Sequence, residues 1–146
     1  MSGPITALAG YPLITTDRLT DVRTFYVDEL DFSVVFEASW FLLVAAPGEG
    51  SPTIAFMHPG HPSAPPGPEA FSGQGVIWTI QVEDAAEAYD AARRADLAIH
   101  HELTDEPWGQ RRFMLRDPAS LLLDIVEQTD PEPGFWERSP GPASDE

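Results

Sequence analysis

Two stretches of the chain carry the same succession of apolar and polar positions. In the first, "YPLITT" reads as a strand, Asp17 is placed to cap a helix, and Leu19, Val22, Phe25, Tyr26 and Leu30 follow at helical spacing. In the second, "VIWTIQV" reads as a strand, Asp84 caps with Glu87 at the capping-box position, and Ala85, Ala88, Tyr89 and Ala92 form a buried stripe. Each helix gives way to three short strand-like runs separated by turn residues. These are Phe32–Glu37, Trp40–Ala45 and Thr53–Met57 in the first half, then Ala98–Leu103, Arg111–Leu115 and Leu121–Glu127 in the second. The order is βαβββ twice, which predicts an α+β fold: two modules forming a curled mixed sheet around a cleft, with the helices outside. A cleft between repeated modules is a usual place for a ligand.

Punctuation sets the boundaries. "HPGHPSAPPGPEAFSGQG", residues 58–75, is crowded with Pro and Gly and reads as a linker between a first module at 1–57 and a second at 76–128. Residues 129–146, "TDPEPGFWERSPGPASDE", read as an acidic, Pro-rich tail that is partly disordered and offers Phe135 and Trp136 for docking.

Composition narrows the chemistry. The 146 residues are 42% apolar, enough for one ordinary domain with a real core. With no cysteine, disulfides, thiolate metal sites and Cys nucleophiles are excluded; with no lysine, so are Schiff-base chemistry and a P-loop lysine. Carboxylates, four histidines, hydroxyls and aromatics remain. A formal charge of −16 repels phosphate backbones, and the only basic runs are the paired arginines at 93–94 and 111–112, so nucleic acid is not an expected partner. The same field would concentrate cationic small molecules. No apolar run approaches the length of a membrane span, and the N-terminus lacks a signal-peptide pattern, so the expected location is the cytoplasm, away from any membrane.

The stretches "TTDRLTDVRTFYVDELDFSVVFE" and "PWGQRRFMLRDPASLLLDIVE" resemble the vicinal oxygen chelate superfamily, which includes glyoxalase I, extradiol dioxygenases, fosfomycin-resistance enzymes and bleomycin-resistance proteins. The first looks like the superfamily's strand, Asp, helix with Phe-Tyr, then Leu-Gly-Phe, here with Asp31 where glycine is usual. The second, with Pro107-Trp108-Gly109 ahead of Arg116-Asp117-Pro118, looks like the bleomycin-resistance branch. The resemblance implies the glyoxalase/bleomycin-resistance fold over about residues 5–127. Where the family's turn after Asp-Pro usually supplies a residue that accepts a left-handed backbone, this chain has Ala119-Ser120. Keeping that turn would cost about 1 kcal/mol.

The resemblance also implies where a metal would sit. Superfamily enzymes hold a divalent ion with His, Gln or Glu from the first strand of each module and a carboxylate from the last strand. Seven residues before Asp17 is Gly10, seven before Asp84 is Ile77, and seven after Asp117 is Asp124. One carboxylate cannot hold a catalytic ion, which needs about three protein ligands. No metal and no cofactor are therefore expected. His58 and His61 fall in the Pro-rich loop, and the adjacent His100 and His101 would point to opposite faces of a strand.

A ligand-binding protein is the expected function, with no catalytic residues. If position 77 faces the cleft, alternation places Thr79 and Gln81 beside it, Pro12 and Ile14 opposite, and Asp124 on the last strand. Phe36, Phe41 and Trp108 match positions where bleomycin-resistance proteins place aromatics near the drug, and Trp40, next to a turn, joins the set. Such a cleft suits sequestration of an aromatic or cationic natural product of the bleomycin, mitomycin or enediyne kind. The alternatives are a metal-dependent glyoxalase or dioxygenase, or a biosynthetic enzyme acting on the bound compound. The resemblance further implies a homodimer with the cleft at the subunit junction.

Overall fold

The computed structural model describes residues 3–62, 69–139 and 141. The chain forms two compact units, one of Met1–Gly75 with Asp117–Leu121, the other of Val76–Arg116 with Leu122–Glu146. Each is a βαβββ module built on its own four-stranded mixed sheet. The Pro-rich linker goes with the first unit and the tail with the second. Residues 63–68 of the linker and 140 and 142–146 of the tail lie outside the described residues.

In the first unit β1 (Leu13–Thr15) leads to α1 (Leu19–Arg23), which continues as a π-helical stretch (Thr24–Glu29) before β2 (Ser33–Ala38), β3 (Phe41–Ala45) and β4 (Thr53–Met57). The strand order is β1-β4-β3-β2, with β1 parallel to β4 and the other pairs antiparallel. The π-helical widening is visible in the Leu30 N–H, which bonds the carbonyl of Phe25. It brings two consecutive rings, Phe25 and Tyr26, onto the buried side. Tyr26 is fully enclosed, with ring centroids of Phe25, Phe32 and Phe56 at 5.0, 5.2 and 5.1 Å. Such edge and tilted arrangements suit the aromatic quadrupole.

The expected cap at Asp17 is corrected by one residue. Arg18 is the N-cap: its carbonyl accepts the first helical bond, from Val22 N–H, and its own N–H is held by the Thr16 hydroxyl. This shift changes the phase of β1. Ile14 pairs with Phe56, which in turn pairs with Leu42, and Phe56 touches Tyr26, so all of these side chains face the helix. Leu13 and Thr15 occupy the helix-free face instead.

In the second unit β5 (Ile77–Gln81) is followed by α2 (Ala85–Arg94), β6 (Ile99–Glu106), β7 (Gln110–Arg116), β8 (Leu122–Gln128) and the short α3 (Phe135–Arg138). The sheet order β5-β8-β7-β6 repeats that of the first unit, again with one parallel pair, β5 with β8. Here the cap is as expected: the Asp84 carboxylate accepts the Glu87 N–H at 3.0 Å. Phe113, Leu115, Leu123 and Ile125 are buried on the helix side, where Phe113 meets Tyr89 at 5.2 Å. Both helices end by placing an aspartate in the left-handed region, Asp31 at φ 62° and Asp96 at φ 56°. The turn after β7 does the same with Ser120, at φ 71°, so the left-handed step is kept without glycine.

That turn belongs to the first unit. One Asp117 oxygen accepts the N–H groups of Ala119 and Leu121 at 2.8 and 2.9 Å, and the other accepts the Tyr26 hydroxyl at 2.6 Å. Burial, followed by the neighbouring Asp117 charge and hydrogen bond, pushes the Tyr26 phenol well above its ordinary pKa.

Candidate functional site

The helix-free face of the second sheet is set by register. Thr79 lies opposite Asp124 and Gln81 opposite Val126 across the parallel pair, while Met114 faces Asp124 and Arg112 faces Val126 across the antiparallel pair. Directly paired residues share a face, so Thr79, Gln81, Arg112 and Asp124 stand on one surface.

Asp124 is buried, at 6% exposure. Its Oδ2 accepts the Thr79 hydroxyl at 3.2 Å and lies 3.6 Å from Arg112 Nη1; its Oδ1 is enclosed with no hydrogen-bond partner among the described residues. Arg112 is committed elsewhere. Its Nε donates to Glu106 Oε2 at 2.7 Å, and its guanidinium carbon lies 5.4 Å from the centre of the Trp108 ring. Trp108 donates its indole N–H to Gln110 Oε1 at 2.9 Å and has the ring of Phe135 at 6.5 Å. Gln81 accepts from the Gln128 amide at 3.3 Å.

Trp108 is held by the hairpin that carries it. Gly109 sits at φ 107°, its carbonyl accepts the Thr129 N–H, and the Pro107 carbonyl accepts that of Glu132. The first part of the tail is thereby tied down beside the indole. At the far side of the same hairpin, Arg111 bonds Asp105 at 2.6 Å; that hydrogen bond, and the charge behind it, hold the Asp105 carboxyl below its ordinary pKa.

The remaining expected residues lie in the first unit. Phe36 is 57% exposed and pairs with Leu43 on the helix-free face; its ring is 6.0 Å from Phe41, which is 5.7 Å from Trp40. These three form one cluster. Ile14 does not line a ligand surface as expected, since it is 7% exposed and packs toward the helix, whereas Pro12, just ahead of β1, is exposed. Counting seven back from the observed cap gives Tyr11 in place of Gly10.

Glu106 and Arg112 were not singled out from the sequence. The alternation that gave Thr79 and Gln81, carried across the hairpin, would have placed Arg112 on the same face. Glu106 meets Arg112 diagonally across the hairpin, since Thr104 pairs with Arg112 and Glu106 with Gln110.

The fold is that of the vicinal oxygen chelate proteins, two βαβββ modules with a mixed sheet apiece. A profile of the Glyoxalase/Bleomycin resistance protein/Dioxygenase superfamily matches residues 8–125, and the chain belongs to that superfamily. No curated protein matches it. Among solved structures, a glyoxalase/bleomycin resistance protein/dioxygenase from Nocardioides superposes with a TM-score of 0.68 at 17% identity, over 96% of this chain and 92% of that one. A superfamily member from Sphaerobacter thermophilus gives 0.64 at 23% identity, over 84% and 98%. A lactoylglutathione lyase from Agrobacterium tumefaciens gives 0.64 at 16%, over 83% and 94%. At these identities the likeness speaks for the fold.

The donor set does not fit the divalent ion that the superfamily's enzymes use. The three positions hold Tyr11, Ile77 and Asp124, and the single carboxylate already engages Thr79 and Arg112. Among the described residues, no group of three or more His, Asp or Glu is arranged to hold a metal. Nor is any described helix long and apolar enough to cross a membrane.

Proposed function

We propose that this chain binds and sequesters an aromatic or cationic natural product, of the bleomycin, mitomycin or enediyne kind, without a metal and without converting it. The observation that carries this reading is the state of Asp124: the one carboxylate at a ligand position is bonded by a threonine and paired with an arginine, where an enzyme of the family would surround it with imidazole-type donors. Thr79 bonds it, Gln81 shares its face and Trp108 lies against Arg112, while the first module has an aromatic cluster of its own in Phe36, Trp40 and Phe41. Flat conjugated ligands stack on such rings, and a carboxylate gives polarity to one end. The working form is a cytoplasmic homodimer whose binding cleft lies at the subunit junction.

The test is thermal unfolding against a panel of such antibiotics. A ligand at a thousand times its Kd adds about 4 kcal/mol to stability, which is a rise of roughly 10 °C for a chain of this size. Nanomolar binding must therefore show at micromolar ligand, and a panel that moves the midpoint nowhere would remove the reading. Mass measurement in solution checks the dimer.

A further inference from the structure

We infer that the Glu106–Arg112–Asp124 cluster selects a basic group on the ligand, an amidine, guanidine or ammonium, and rejects an acidic one. This rests on the binding function proposed above and narrows its ligand class.

The charges do not balance. One guanidinium stands between two carboxylates, and the three side chains are only 20%, 12% and 9% exposed for Arg112, Glu106 and Asp124. The cluster carries a formal charge of −1 in a place from which water is largely excluded. Charge left uncompensated in such a place seeks a partner.

The shortfall falls on Asp124. Arg112 gives its short hydrogen bond to Glu106 and lays its guanidinium against Trp108, while its approach to Asp124, at 3.6 Å, is too long for a hydrogen bond. Both neighbours of Asp124 are at Oδ2, and Oδ1 receives nothing from the described residues. A buried carboxylate oxygen without a donor is costly, and natural structures rarely keep one without a reason.

A ligand nitrogen bearing a proton and a positive charge meets both needs, since it donates to Oδ1 and brings the cluster to neutrality. Oδ1 is enclosed, and the 3.6 Å approach of Arg112 to the same carboxylate is the weakest of the three contacts of Arg112. Trp108 remains alongside as a ring face for the rest of a flat ligand. An anionic ligand meets the opposite conditions: Arg112 is already outnumbered, and the whole chain has a formal charge of −16.

Three flat probes of one shape separate these cases: benzamidinium, neutral benzamide and benzoate. Each is titrated into the full chain while the Trp108 indole N–H and the Arg112 Nε–H are followed by nitrogen-proton NMR. Benzamidinium is expected to shift both saturably and to bind about tenfold or more tightly than benzamide, the preference worth one uncompensated charge near a protein surface. Benzoate is expected to shift neither. Asp124→Asn should bring benzamidinium to the level of benzamide, and Glu106→Gln, a change in the partner less central to the sheet, should reduce the preference even if Asp124→Asn does not fold.

Benzoate binding as tightly as benzamidinium would overturn the inference. So would equal affinity for benzamidinium and benzamide, a preference unchanged in the folded variants, or the absence of saturable shifts. Equal binding of the charged and neutral probes would leave the sequestration reading standing, whereas a charge preference with no response to the antibiotic panel would remove that reading alone.

Discussion

Replacing Tyr26 by phenylalanine removes one hydroxyl and leaves the ring among Phe25, Phe32 and Phe56 in place. The lost bond, 2.6 Å to Asp117, joins residues 91 apart in sequence and is made in a buried setting. Hydrogen bonds to charged groups contribute about 1.5–3 kcal/mol, so Tyr26→Phe should lower stability by that amount and the thermal midpoint by roughly 3–10 °C. The alkaline limb adds a second signature. The Tyr26 pKa is raised in the folded chain well above its ordinary value of 10.0, so the unfolded chain loses this proton first as pH rises. The contribution is fully present below about pH 10 and is lost above it, with a slope from this group of about 1.4 kcal/mol per pH unit. Urea unfolding of both proteins from pH 8 to 11 measures it. The stability difference should be constant below pH 10 and shrink above it, because the phenylalanine chain has no such proton to lose. A difference under about 0.5 kcal/mol at pH 8, together with parallel alkaline limbs, would refute the assignment of Tyr26 as the bond holding Asp117.

Other perturbations test the frame around the site. Gly109→Ala places a Cβ 2.9 Å from the Thr129 carbonyl oxygen and 3.2 Å from Pro131 N, both backbone atoms, at a backbone φ of 107°. It should cost more than about 1 kcal/mol and free the tail, seen as faster amide exchange at Thr129 and Glu132. Asp31→Gly relieves a left-handed residue and should stabilise by about 0.5–1 kcal/mol, whereas Asp31→Val should destabilise by more than that, both read by urea unfolding. Asp84→Ala removes the acceptor for the Glu87 N–H and should cost about 1 kcal/mol, with faster exchange in the first turn of α2.

The elements were legible because their causes are local. The second helix begins where Asp84 caps it, and β4 has the bounds that its apolar run gave, Thr53–Met57. The first helix shows where such reasoning slips. Asp17 is the residue type that caps a helix, yet the helix starts after Arg18, whose N–H donates to the Thr16 hydroxyl. One residue of error there reversed the face assigned to Ile14 and put Gly10 where Tyr11 belongs. The π-helical stretch was not legible either, since the spacing of Leu19, Val22, Phe25, Tyr26 and Leu30 fits an ordinary helix. Half of the candidate site followed from strand alternation: Thr79, Gln81 and Asp124 do share a face.

The sequence by itself determined two βαβββ modules, the Asp84 cap of the second helix, and an Asp124 whose counted partner positions carry no imidazole. These follow from periodicity and from the side chains at hand, which act over a few residues. Only the tertiary structure decided what Asp124 touches instead. The approach of Arg112 to Asp124 depends on the pairing of β7 with β8, and the contact of Tyr26 with Asp117 spans most of the chain. Such pairings are fixed by cross-strand hydrogen bonding and by burial of the whole sheet. They turn a lone acid in "LLLDIV" into the under-compensated member of a buried ion cluster.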